Sequence, residues 1–157
     1  MRLDPYKAVP VVRWSDVERS APEFAARVRT IFEKRRHKTL ATLRRDGSPR
    51  VSGVETAFQD GDIVMGMMPD SVKARDLQRD PRASLHAQSE DPPIDRPSTW
   101  EGDAKMAGRV IPIEGREPGS FRIDIDDVVL TWVPDPPDYL VVESWTAERG
   151  YRRDERR

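Results

Sequence analysis

Two closely spaced Asp-Gly dipeptides, Asp46-Gly47 and Asp60-Gly61, constrain this chain more than any other feature. Asp-Gly between alternating segments is a strong hairpin signal, because glycine enters the left-handed region at no steric cost. The flanking runs suit it. Thr39-Leu40-Ala41-Thr42-Leu43 and Arg50-Val51-Ser52-Gly53-Val54-Glu55 alternate with period two, and Ile63-Val64-Met65-Gly66-Met67-Met68 is an apolar run of strand length, expected to be buried on both faces. A chain that reverses this often between strand-like runs builds an antiparallel sheet. A doubly wound sheet needs a helical crossover between strands, and no regular alternation of that kind is present.

The remaining segments extend the pattern. Ser20 and Glu23 have capping-box spacing, Pro22 lies near the start, and Phe24, Val28, Ile31 and Phe32 form the stripe of an amphipathic helix that ends near Lys34-Arg35-Arg36. Ser71 leads into a short helix over 72–79 that Asp80-Pro81 stops. Strands are predicted at 83–87, 104–113, 121–133 and 139–146, with a long Pro-, Asp- and Ser-rich loop over 89–102. Residues 1–14 read as an arm and 148–157 as a tail too charged to pack by itself. The sum is a single domain over 1–157 of mainly β, α+β class: an antiparallel barrel of six to seven strands with one N-terminal helix and one short inserted helix.

Composition narrows the chemistry. There is no cysteine among the 157 residues, which excludes disulfides, thiolate metal sites and a cysteine nucleophile. The formal net charge of −1 argues against general electrostatic capture of nucleic acid, even with arginines at 35, 44 and 152. No apolar run approaches a membrane span or a signal peptide, so a cytoplasmic protein is expected. His37 and His86 lie far apart and fit no metal-ligand spacing. Asp124, Asp126 and Asp127 alternate with isoleucines and read as the wet face of an edge strand, not as catalytic carboxylates. Met65, Met67 and Met68 read as core fillers, and Trp100, Trp132 and Trp145 as packing residues before they are stacking platforms.

The turn at Ser71 is the most informative local feature. A helix N-terminus offers unpaired N–H groups, Ser71 can cap it, and Lys73 and Arg75 add cationic side chains, so the turn is a candidate phosphate cradle. The same residues also describe an ordinary capped surface helix. Arg50 opens the neighbouring strand and could supply a bidentate donor to the same anion.

The order of these pieces, LATLRRDGSPRVSGVE followed by DIVMGMMPDSVKARDLQRDPRASLHA, resembles the pyridoxamine 5′-phosphate oxidase-like, FMN-binding split-barrel family. The resemblance runs from Leu40 to Thr146, with GDAKMAGRVIPI and FRIDIDDVVLTWV fitting the later strands. It implies a split β-barrel that holds flavin through Arg50, Val51, Ser52 and Gly53 on the second strand and grips phosphate through Ser71 and Lys73. It also places Asp103 near a flavin-contacting position and sets Met67 and Val72 where the family pattern has a hydroxyl and a second basic residue. The segment WTAERGYRRDERR lacks the Arg-x-His substrate motif of true pyridoxamine phosphate oxidases, so that activity is not implied.

What the resemblance implies is a flavin-dependent oxidoreductase of unknown substrate with FMN as cofactor. Members of the family are typically homodimers with cofactor at the interface, so substrate would meet the ring near the partner's loop around Trp100. A deazaflavin-coenzyme-dependent reductase and a non-catalytic flavin or tetrapyrrole-binding protein are the alternatives.

Overall fold

A computed structural model describes residues 11–157; residues 1–10, most of the expected arm, lie outside the described residues. Two helices lead, α1 (Trp14–Ser20) and α2 (Pro22–Lys34). The first was not expected from sequence, and it changes the role of Ser20. This residue ends α1, and its Oγ accepts a 2.9 Å hydrogen bond from the indole N–H of Trp145. Ala21 occupies the N-cap of α2 with no side-chain bond, and Pro22, whose φ is preset and which has no N–H to satisfy, starts the helix. The predicted stripe is correct: Phe24, Val28, Ile31 and Phe32 are all buried.

Eight strands follow: β1 (His37–Leu43), β2 (Pro49–Gln59), β3 (Asp62–Gly66), β4 (Arg82–Ala87), β5 (Asp103–Pro112), β6 (Ser120–Trp132), β7 (Leu140–Thr146) and β8 (Gly150–Arg156). Helix α3 (Val72–Arg79) lies between β3 and β4. The sheet order is β3-β2-β1-β4-β5-β6-β7-β8, all antiparallel, and a β3–β6 pairing closes the first six strands into a barrel. β6 makes this possible by serving two neighbours with different stretches: Ser120–Arg122 pair with β3, and Val128–Trp132 with β7. Between those stretches the β5–β6 register shifts at Ala107/Gly108. There a Cβ on Gly108 would lie 2.0 Å from the Asp124 carbonyl oxygen, so the backbones approach more closely than any other residue permits.

The barrel is filled by Leu40, Ile63, Leu85, Met106, Ile123, Ile125, Val128 and Leu130, and Trp14, Val28 and Phe32 join the same core from the helices. Of the Met-rich run, Met65 is buried and Met67 packs partly against the core, but Met68 is exposed because β3 has already ended at Gly66. Asp124 also departs from expectation. β6 is an inner strand, and Asp124 is fully buried, accepting a 2.7 Å bond from the Val12 backbone N–H.

The charged tail does pack, as β8 against β7. Its anchor is Glu143, buried on β7, which accepts from Arg27 of α2 at 2.7 Å, from the Trp132 indole at 2.6 Å and from the Tyr151 hydroxyl at 2.7 Å. A buried carboxylate costs little when it is saturated with donors, and here those donors come from three separate elements. Tyr151 also meets Phe24 edge-on at 5.6 Å.

Candidate functional site

Helix α3 is placed by contacts to the strands behind it. Ser71 is its N-cap, with Oγ accepting from the Ala74 backbone N–H at 3.3 Å, and Ala74 and Leu77 are buried beneath it. The Lys73 ammonium donates 2.7 Å to the Gly53 carbonyl oxygen on β2, which brings the first turn of the helix over the strand that carries Arg50 to Gly53. Ser71, Lys73 and β2 therefore form one corner.

Along β2 the four candidate residues divide between two faces. Arg50 is the register partner of buried Thr42 and Gly53 that of Thr39, while Val51 and Gly53 are exposed. Nothing lies within 4 Å of where a Cβ on Gly53 would be, so the surface before this glycine is open. Val72 is exposed as well, and Ser52, Met67, Ser71 and Lys73 are half-buried.

Behind the corner sits a group that sequence reasoning missed. Asp76, 2% exposed, accepts from Thr42 Oγ1 at 2.8 Å and Arg50 Nε at 2.7 Å through Oδ2, and from Arg79 at 2.9 Å through Oδ1. Arg79 also donates 2.7 Å to the Leu43 carbonyl oxygen. Burial works against the charged carboxylate, yet the bonds from Arg50, Thr42 and Arg79 outweigh it and hold the Asp76 pKa below the usual carboxylate value. The only signal in the sequence was the Asp76/Arg79 spacing of i,i+3, which also describes any solvated helical pair.

Asp103 and Trp100 are not brought to this corner within one chain. Asp103 opens β5, three strands from β2, and contacts His86 of β4. At about 4.8 Å per strand that is roughly 14 Å from β2. Trp100 donates 2.9 Å to Ser89 Oγ and ends the long loop, which Glu101 ties to the end of α2 through Lys34 and Arg35. The hydrogen bond from Lys34, assisted by Arg35 against burial, holds the Glu101 carboxyl below its ordinary pKa.

Between the two groups lies the outer face of β1, β4 and β5, with Ala41, Ser84 and Ala107 in register across it and Asp127 of β6 beside Ala107. A shallow cavity of about 310 Å³ opens on this face, lined among others by Thr39, His86, Lys105 and Asp127. Burial raises the Asp127 pKa, partly countered by Lys105. Among the described residues no three His, Cys, Asp or Glu side chains are grouped to hold a metal ion, and no helix is long and apolar enough to cross a membrane.

A closed six-stranded antiparallel barrel with a capped helix inserted after its third strand defines the FMN-binding split-barrel class of fold. The family model for pyridoxamine 5′-phosphate oxidase matches residues 24–121, more than half of the chain, and the chain belongs to that family. Solved structures agree on the fold. A pyridoxamine 5′-phosphate oxidase-related, FMN-binding protein from Nostoc punctiforme is 13% identical, with a TM-score of 0.59 over 87% of this chain and 96% of that one. PhzG from Burkholderia lata, solved with tetrahydrophenazine-1-carboxylic acid, is 11% identical with a TM-score of 0.64, covering 98% and 96%. A heme-binding protein from Mycobacterium smegmatis is 16% identical with a TM-score of 0.56, covering 83% and 86%. No curated protein sequence matches the chain.

Proposed function

We propose that this protein is an FMN-dependent oxidoreductase that binds the flavin phosphate at the corner of β2 and α3. The observation that carries the reading is Arg50: its Nε is engaged by Asp76 of α3, while its two terminal nitrogens have no acceptor among the described residues, and the same helix begins at the Ser71 cap and reaches β2 through Lys73. A planar guanidinium edge, a helix N-terminus and an ammonium together suit a phosphate. The open surface before Gly53 leaves room for the edge of a flat ring against the β2 backbone.

FMN, when bound, supplies the electron transfer; the chain supplies binding, orientation and exclusion of water. A surface corner does not exclude water by itself. A second copy docked on the face of β1, β4 and β5 would cover it and bring its own Asp103 and Trp100 across, so a homodimer belongs to this proposal.

A non-catalytic carrier of a flavin or tetrapyrrole is the second reading. What favours it is that Lys73 and Asp76 of the corner each already engage another protein group, which suits binding more than proton transfer. A deazaflavin coenzyme would use the same corner. Titrating the purified protein with FMN, the deazaflavin coenzyme and haem, followed by visible spectrum and melting temperature, tests the proposal. FMN is expected to raise the melting temperature, and NAD(P)H with an acceptor panel to be consumed. Binding without turnover selects the carrier, and a protein indifferent to FMN defeats the first reading.

A further inference from the structure

Arg50 is fixed at one point and unengaged at two. Its Nε donates 2.7 Å to Asp76 Oδ2, its side chain is 24% exposed, and its terminal nitrogens meet no acceptor among the described residues. Asp76 is itself immobilised. Thr42, the direct register partner of Arg50, donates its hydroxyl to the same Oδ2, and Arg79 reaches from Oδ1 to the Leu43 carbonyl, tying the carboxylate to the backbone of β1. A carboxylate this buried is costly unless it is well supplied with donors, and three side chains, from β1, β2 and α3, supply them.

We propose that Asp76 is a positioning residue for the phosphate of the bound flavin, clamping Arg50 through Nε so that its planar outer pair of N–H groups is ordered before the anion arrives. The proposal rests on the flavin reading above. Charge is consistent with it. Two guanidiniums against one carboxylate leave the cluster with a net charge of about +1, so Asp76 orders the arginine without turning the corner anionic. A long side chain already ordered loses less rotamer freedom on binding, which is how a buried acidic group can strengthen the capture of an anion.

The test compares FMN with riboflavin, which has the same ring and no phosphate, by quenching of flavin fluorescence on the full chain. Asp76→Ala and Asp76→Asn are expected to weaken FMN by about tenfold or more while moving riboflavin by less than about twofold. Arg50→Ala with Asp76→Ala is expected to be no weaker than Arg50→Ala alone, because the two act as one unit. Unchanged FMN affinity, an equal loss for both flavins, or losses that add in the double variant would overturn the proposal. Should the Asp76 variants fail to fold, the unmutated protein answers by NMR. Its Arg50 Nε–H resonance, assigned by its absence in Arg50→Lys, is expected to be protected from exchange and to persist when FMN is added; its loss on FMN binding overturns the clamp. Unmutated protein that binds neither flavin overturns the flavin reading and the clamp together, whereas tight FMN binding with indifferent Asp76 variants overturns the clamp alone.

Discussion

Lys73 of α3 donates 2.7 Å to the carbonyl oxygen of Gly53 on β2, so the side chain proposed to hold the phosphate also latches the helix to the strand. Lys73→Ala removes both. The variant is expected to lose about 1 kcal/mol of stability and to bind FMN roughly ten- to hundredfold more weakly, with riboflavin little affected. Fluorescence titration with both flavins checks it, and equal affinities in mutant and parent would place the phosphate elsewhere.

Gly53 separates folding from binding. With open space before its Cα, Gly53→Leu is expected to change stability by no more than about 0.5 kcal/mol, because a larger side chain suits a strand at least as well as glycine. The leucine would occupy the place proposed for the ring edge. A near-normal melting temperature with abolished flavin binding is the expected pair of results.

Gly108 does the reverse. Gly108→Ala drives a methyl group to 2.0 Å from the Asp124 carbonyl oxygen, a backbone atom that no rotamer change can move. A cost of about 3 kcal/mol or more is expected, lowering Tm by roughly 6–12 °C in a chain of this size, measured by thermal unfolding.

Tyr151 sets an alkaline limit. Burial, together with its bond to Glu143, raises its hydroxyl pKa from 10.0 to about 12. The folded state therefore favours the protonated phenol, and its contribution is complete below about pH 10 and declines as pH rises towards 12. Tyr151→Phe is expected to lose about 1 kcal/mol or less at neutral pH, since the ring is half exposed, and to show a flatter decline in stability above pH 10 than the parent. Denaturant unfolding across pH 8–11.5 would show the convergence of the two curves.

The flat row Ala41, Ser84 and Ala107 is where a second copy is proposed to dock. Ser84→Arg, exposed in the single chain, is expected to leave the far-ultraviolet spectrum intact, shift the protein to a monomer in light scattering and reduce FMN affinity. A dimer that survives the substitution would place the interface on another face.

Much of the fold was legible because its signals are local. The Asp-Gly turns, the stripe of α2 and the Ser71 cap each depend on neighbours within a few residues, and each appears where the pattern puts it. The errors came where partners are distant. The tail reads as solvated until Glu143 and Phe24 supply partners for Tyr151, and Ser20 reads as a cap until Trp145, far along the chain, takes its hydroxyl. Asp124 reads as wet because alternation reveals a strand's faces but not what covers them. At the corner, Ser71, Lys73 and Arg50 carry recognisable chemistry in their types and spacing. Asp76, which organises one of them, looks from sequence like any acidic residue on a short amphipathic helix.

The last strand brings one more consequence. β8 ends the sheet, and such a margin ordinarily invites a foreign strand to extend it. Here Arg152 faces Asp154 and Arg153 faces Glu155, so a newcomer would have to strip water from paired ions on both sides before forming a single backbone bond. The same charges that obscure this segment as structure disfavour the pairing of another strand on this edge.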